Sequence, residues 1–402
     1  MRTVLRQLKQ PNSSSAVTAI GVIGGGQLAR MMAHAATTLG CRLIVLAERF
    51  DTSAAGVCEL VVGDWRDPDT VVGFAAACDV VTFDHELVPP PVLDALEACP
   101  TRIFPSPAAM RRAADKQLQR TVASSVGLPV LAHRVVSDPA ELEHAVSELG
   151  LPVVAKRAGG GYDGRGLTWL RTHRDVAAFQ AGGMTGEPVI IEPELDLTAE
   201  LATTIARRRN GEHVLYPVVR THQVDGICHT VTAPATVTRP IADTLYDALV
   251  AIAEALDHVG VLTIEAFLVD GQVYLNELAP RPHNSAHYTI DACTTSQFEN
   301  HLRAILDLPL GDPTMFVPAA AMANVLGVHD GPTDLPSVDL PARTSVHLYG
   351  KHSRPGRKLG HVTVTGRDPA AVERTARSVA ERLAHTWRAC PPALTWREQV
   401  TA

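Results

Sequence analysis

The chain has 402 residues, 46% of them hydrophobic and 20% charged, with a formal net charge of −7. That length allows two or three domains with full cores, and the balance excludes a disordered polyampholyte. A net negative charge offers no global attraction to nucleic acid or an acidic membrane surface, so any phosphate recognition has to come from local basic clusters.

Residues 1–16 are polar, end in Asn12-Ser13-Ser14-Ser15 and lack the apolar stretch of a secretory signal, so they read as a disordered tail. Short apolar segments then alternate with helical ones. Ala19–Ile23, Arg42–Ala47 and Val80–Phe83 read as strands; the stretch from Gly24 to about Leu39 and Leu93–Ala98 read as helices. This alternation predicts a parallel sheet with crossover helices, a Rossmann-like domain over residues 17–113.

A basic helical stretch, Met110–Ser125, leads into a second region, residues 114–330. Its strand candidates are Leu151–Arg157, Leu167–Leu170, Val189–Glu192, Glu200–Ala206 and Val214–Val219. An amphipathic helix, Asp243–His258, and a hairpin of Val261–Val269 with Val273–Leu278 follow. Asp312-Pro313, Gly331-Pro332, Leu335-Pro336 and Leu340-Pro341 set off a small module, residues 331–402, with two strands around a basic turn and a helix from Pro369 to Ala384. The expected fold class is α/β and α+β, multidomain, with a small β-rich C-terminal domain. Seven scattered cysteines without a C-x-x-C pair point to reduced thiols and a cytoplasmic location, and no apolar run approaches a membrane span.

Five constellations carry chemistry. Gly24-Gly25-Gly26-Gln27 joins a strand to a helix and aims backbone N–H groups at one point, as an anion site would; Gly24, Gly26, Ala29 and the later Glu48 also fit a dinucleotide fingerprint, or a turn with no ligand. Lys156 precedes Gly159-Gly160-Gly161-Tyr162-Asp163-Gly164-Arg165-Gly166, a glycine-rich loop able to close over phosphate oxygens but lacking a Walker ending. In the hairpin around Asp270-Gly271, a three-residue loop would set Glu265 opposite Glu277, with Cβ atoms about 5 Å apart and a divalent cation between them. A two-residue loop would instead oppose Glu265 to Asn276 and turn Glu277 to the other face.

Arg281-Pro282-His283-Asn284 presents a guanidinium, an imidazole and an amide from a proline-stiffened loop, a set suited to a small planar oxyanion. His283 and His287 lack the third ligand or H-E-x-x-H frame of a zinc site. Finally, Lys351-His352-Ser353-Arg354 with Arg357-Lys358 is a basic turn, either a solvated surface or a grip on a sugar phosphate.

Taken together, GGGQLAR, TFDHE, AKRAGGGYDGRG, IEAF, LNELAPRPHNSAHYT, SQFENHLRA and YGKHSRPGRKLGH resemble the N5-carboxyaminoimidazole ribonucleotide synthetases of the ATP-grasp superfamily. The resemblance implies ATP-dependent carboxylation of an aminoimidazole ribonucleotide with bicarbonate in purine biosynthesis, with magnesium (or manganese) as cofactor and a homodimeric assembly. It implies a nucleotide site of Lys116, Lys156, Gly160, Gly161, Tyr162, Gly164, Arg165, Gly166 and Asn276, with adenine at Glu192 and Leu195 and ribose at Glu200. Glu265 and Glu277 would hold the metal, and Arg281, His283 and Asn284 the bicarbonate. Gln27, Glu86, Tyr162, Asp163, Lys351, Arg357 and Lys358 would bind the ribonucleotide, with Asp163 orienting the reacting amine.

Three departures stand out: Asp84-His85-Glu86 replaces the usual Glu-x-Glu, Ala286 replaces a glycine and would add a methyl beside the pocket, and Thr221-His222-Gln223 matches no nucleotide-binding pattern. The competing readings are another ATP-grasp ligase of the formate, glycine or biotin type, a dinucleotide-binding oxidoreductase, and a silent nucleotide-binding regulator.

Overall fold

A computed structural model describes residues 17–158, 166–184, 186–333 and 338–386. The expectations for residues 1–16, for Gly160, Gly161, Tyr162, Asp163, Gly164 and Arg165, and for the Leu335-Pro336 linker lie outside these residues.

The first sheet contains β1 (Ala19–Ile23), β2 (Arg42–Ala47), β3 (Glu59–Val62), β4 (Val80–Phe83) and β5 (Arg102–Ile103), all parallel, in the order β3-β2-β1-β4-β5. Alternate residues of β1 face opposite cores. Ile20 and Val22 pack with Met31 and Met32 of helix Gln27–Thr38, whereas Ala19 and Ile23 pack with Phe74, Leu93 and Leu96 from the other side. Both faces are therefore covered, as a parallel sheet requires. The strand order reverses at β1 and β4, and the loops at their carboxyl ends, Gly24–Gln27 and Asp84–Glu86, open into one crevice.

The basic stretch forms two helices, Pro107–Ala114 and Lys116–Ser125, not one. Asp115 breaks the run with an extended backbone, and its carboxylate caps the second helix through Gln117 N (2.8 Å) and Leu118 N (2.9 Å).

The second sheet is antiparallel and has the order β6-β9-β7-β8, from β6 (Arg134–Val136), β7 (Val153–Arg157), β8 (Leu167–Leu170) and β9 (Val189–Pro193). The third sheet comprises β10 (Ala199–Arg207), β11 (His213–Leu215), β12 (Val219–Val224), β13 (Ile227–Ala233), β14 (Gly260–Val269), β15 (Gln272–Ala279), β16 (Ala319–Leu326), β17 (Thr344–Leu348) and β18 (Lys358–Gly366). The single strand expected over Val214–Val219 is split between β11 and β12 at Pro217, which has no N–H to give the ladder, while Tyr216 packs into the core and donates its hydroxyl to Thr295 O at 3.0 Å.

On β14, Leu262, Ile264, Ala266 and Leu268 enter the core beneath helix Arg239–Ala255, so the odd-numbered residues, Glu265 and Phe267 among them, point to the other face. Val269 pairs with Gln272, which makes the turn a two-residue Asp270-Gly271 loop with positive φ at both positions (50° and 81°). That loop alone would have opposed Glu265 to Asn276. A β-bulge corrects the register: Ala266 pairs with Leu275 and Glu265 with Glu277, leaving Asn276 as the extra residue. Asn276 and Glu277 consequently both face the cleft between buried Leu275 and Leu278.

β16 continues this sheet from β13 to β18, and Val372, Ala376, Val379 and Leu383 of helix Pro369–Thr386 pack against it.

Candidate active site

A cleft of about 1330 Å³ lies where the three sheets meet, and every described candidate residue lines it. The parallel sheet contributes Gln27 and Glu86. The two antiparallel sheets contribute Lys156, Gly166, Glu192, Leu195, Glu200, Glu265, Asn276 and Glu277. Helix Lys116–Ser125 adds Lys116, the connecting segments add Arg281, His283, Asn284, Lys351 and Arg357, and β18 adds Lys358.

At the parallel-sheet wall, Asp84 reaches across to helix Gln27–Thr38 and accepts from Gly26 N (2.6 Å) and Ala29 N (2.8 Å). A protein carboxylate thus occupies the anion position of this helix N-terminus. Glu48, the expected ribose acid of a dinucleotide site, pairs instead with Arg66. The dinucleotide reading loses its physical basis.

Glu86 binds Arg281 in a bidentate pair, with Nη2 2.8 Å from Oε1 and Nε on Oε2. Burial would raise this carboxyl, but the guanidinium overrides it and holds it at about 2. Glu86 therefore bears directly on Arg281 and orients its fork.

Lys156 is buried, with Nζ 2.7 Å from Glu192 and 3.2 Å from Asn276 Oδ1. Glu192 is also gripped by Arg120, whose Nε lies 2.9 Å away. Burial pushes the Lys156 ammonium below its usual range despite Glu192. Its partner's carboxylate is held low because the two cations outweigh burial. The Glu192 side chain points into this ion triad, and beyond it the chain offers Pro193–Leu195 to the cleft. Glu200 lies farther along the wall, raised to about 7 by burial.

Glu265 is raised to about 7 by burial, then by the charges of Glu277 and Glu200. Gln223 Nε2 lies 3.5 Å from its Oε2 and His283 Nε2 3.7 Å from its Oε1. Lys116 Nζ is 2.7 Å from Glu277 Oε2. Two acids facing each other under such mutual repulsion, lined with hard oxygen donors, fit a divalent cation.

The loop after β15 is held from behind. Gln297 binds the main chain of His283, and Asn324 exchanges amide hydrogen bonds with Asn284 at 3.0 and 2.7 Å. His287 turns inward onto Gln297, away from His283, so these two histidines do not converge on a metal. Ala286 is buried outside the cleft lining, and its φ is not positive; the methyl is accommodated in the core without narrowing the pocket. Lys351 contacts Gln27, and Arg357 donates to His352 O at 2.9 Å.

Four residues that sequence reasoning missed help build this site: Arg120, Gln223, Gln297 and Asn324. Gln223 follows a bulge in β12 that redirects it toward Glu265. The others act from behind the cleft wall, and only Gln297 carried a signal, as part of the quoted SQFENHLRA run. Elsewhere, Asp291, His347 and His361 bring potential ligand atoms within 4.8 Å of one another. The two imidazoles are stacked at 16° with centroids 4.5 Å apart, so their in-plane lone pairs do not meet at one ion.

Three family models match in order: the ribonucleotide synthetase preATP-grasp domain over residues 17–114, the ATP-grasp domain over 121–298, and the phosphoribosylaminoimidazole carboxylase C-terminal domain over 320–375. The chain is 42% identical over 378 residues to N5-carboxyaminoimidazole ribonucleotide synthase of Mycobacterium tuberculosis (strain ATCC 25618 / H37Rv), covering 91% of this chain and 88% of that one. The chain belongs to the N5-carboxyaminoimidazole ribonucleotide synthase family. Among solved members of that family, the Aspergillus clavatus enzyme complexed with ATP superposes with a TM-score of 0.83 at 32% identity, covering 92% of this chain and 99% of that one. The same organism's enzyme with ADP and 5-aminoimidazole ribonucleotide gives 0.80 at 31%, with the same coverage. The fold is accordingly that of an ATP-dependent ligase of this family, and the other ATP-grasp ligases are set aside.

Proposed function

We propose that this chain joins bicarbonate to 5-aminoimidazole ribonucleotide at the expense of ATP, giving N5-carboxyaminoimidazole ribonucleotide for purine biosynthesis. The observation that carries this reading is the single cleft in which the ATP-grasp acids Glu265 and Glu277, the Arg281-His283-Asn284 loop and the basic Lys351/Arg357/Lys358 turn face one another. Family membership supports the choice of substrates, and the residues lining the cleft support the distribution given below.

Nucleotide would enter between the two antiparallel sheets, with adenine along Glu192–Leu195, ribose at Glu200, and phosphates near Lys116, Lys156, Asn276 and the 159–166 loop. Glu265 and Glu277 would hold magnesium, or manganese in its place, which when bound neutralises charge on the phosphate oxygens. Arg281, oriented by Glu86, together with His283 and Asn284, would fix bicarbonate so that one of its oxygens attacks the γ-phosphorus as ADP leaves. The resulting carboxyphosphate then transfers its carboxyl group to the exocyclic amine, releasing phosphate. Gln27, Tyr162, Asp163, Lys351, Arg357 and Lys358 would bind the ribonucleotide, with Asp163 orienting the amine. Exclusion of water protects carboxyphosphate from hydrolysis.

A cytoplasmic homodimer completes the proposal. The homodimer rests on the family resemblance alone; for the location, no described helix is long and apolar enough to cross a membrane, and the described cysteines are free thiols. The test is ADP release measured with and without bicarbonate and 5-aminoimidazole ribonucleotide. Release should need both; release indifferent to bicarbonate would remove the assignment.

A further inference from the structure

Gln297 opens helix Gln297–Ile305, is fully buried and lies outside the cleft lining. Its carboxamide nevertheless meets both main-chain groups of one cleft residue. Oε1 accepts from His283 N at 2.8 Å, and Nε2 donates to His283 O at 2.8 Å. The other Nε2 hydrogen faces His287 Nδ1 at 3.0 Å.

This amide mimics a strand neighbour: one donor and one acceptor pair with one residue's carbonyl and N–H, fixing its backbone and thereby the exit direction of its side chain. Gln297 is itself anchored, because its N–H donates to Thr289 Oγ1 at 3.0 Å and that hydroxyl donates to Ala286 O at 2.6 Å. Across the loop, the His283 imidazole is steadied by Ser285 Oγ at 2.9 Å from Nδ1, while Nε2 stands 3.7 Å from Glu265. A buried amide thus connects the helix behind the wall to an imidazole in front of it.

We propose that Gln297 is the positioning residue that aims the His283 imidazole at bicarbonate. The inference rests on the reading of His283 given under Proposed function. Gln297 touches no reacting group and acts only through the loop. Ala286 N also donates to His283 O at 3.0 Å and Ser285 holds the ring, so loss of Gln297 loosens the His283 main chain and shifts the imidazole without releasing it.

The test compares Gln297→Leu, Gln297→Glu, His283→Ala and the Gln297→Leu/His283→Ala double variant in the full chain, with steady-state ADP release and thermal melting. Gln297→Leu should raise the KM for bicarbonate by about tenfold while the KM for ATP stays within about twofold, the split expected when one substrate's contacts are misplaced. Gln297→Glu keeps the shape and the acceptor but sets an oxygen against His283 O, and should show the same split; it carries the comparison if the leucine variant does not fold. The double variant should match His283→Ala alone, since both changes remove one interaction. Additive losses, an equal rise in both KM values, or folded Gln297 variants with unchanged bicarbonate KM would overturn the inference. A His283→Ala variant with unchanged bicarbonate KM would instead overturn the bicarbonate role of His283 itself, and with it the inference.

Discussion

Lys116 Nζ lies 2.7 Å from Glu277 Oε2, on the carboxylate that faces Glu265 across the β14–β15 hairpin. An ammonium therefore neutralises one of two acids that crowd each other. A divalent cation held between them, as proposed, would compete with that ammonium. Lys116→Met should tighten binding of Mg²⁺ alone by roughly fivefold, since one partly buried rival charge is gone, while weakening binding of ATP. Isothermal titration with and without nucleotide separates the two effects. A variant that weakens both, or neither, would contradict this arrangement.

Removing either acid should be far more severe. Glu277→Ala and Glu265→Gln are expected to lower ADP release by about a thousandfold, the scale for losing electrostatic stabilisation at a transferring phosphoryl group. Circular dichroism should still report a folded chain. ADP release near the unmodified rate in Glu277→Ala would remove Glu277 from the proposed metal site.

The Glu86–Arg281 pair gives a pH dependence of definite sign. The folded carboxyl sits at about 2 against an unperturbed 4.5. Its folded value is depressed, so the stabilisation is fully present above about pH 4.5 and fades as pH falls toward 2. Glu86→Gln should cost about 3 kcal/mol at neutral pH, because the part-buried Arg281 keeps its charge and loses its carboxylate partner. Urea unfolding of both proteins should show that gap narrowing below about pH 4.5 and shrinking by more than half near pH 3. A gap constant down to pH 3 would count against the pairing.

Gly26 has an ordinary φ of −79°, yet a Cβ there would collide with the Asp84 carboxylate. The demand is for space, not backbone freedom. Gly26→Ala should break the cap on helix Gln27–Thr38, costing about 1–3 kcal/mol. By moving Gln27 it should also raise the KM for 5-aminoimidazole ribonucleotide more than that for ATP. Equal melting temperatures for the two proteins would refute the cap.

Much of this architecture was legible because strand and helix periods are local properties. The alternating segments from Ala19 to Phe83 became β1, β2, β4 and their helices, and the amphipathic run before His258 became helix Arg239–Ala255. The hairpin was harder. Period and turn chemistry left two loop lengths open; the two-residue turn that forms would by itself have separated Glu265 from Glu277, and the bulge at Asn276 that restores their pairing carries no sequence mark. The family resemblance, not periodicity, put those two acids together. Asp84 shows the opposite case: set aside as a departure from Glu-x-Glu, it proves to cap a helix from the loop after β4, 55 residues away from Ala29 in sequence. Gln297 and Asn324 escaped for a related reason: their work is to hydrogen-bond main chain and amides on distant segments, and such partners appear only once the sheets have assembled.

The central claim is that the γ-phosphoryl group passes to bicarbonate before any carboxyl transfer. Turnover in [¹⁸O]bicarbonate, with mass analysis of the released phosphate, tests it most directly. The account predicts one labelled oxygen in each phosphate, because the attacking bicarbonate oxygen stays on phosphorus when the carboxyl carbon departs. Phosphate that is unlabelled from bicarbonate, and labelled instead when the solvent is [¹⁸O]water, would contradict it.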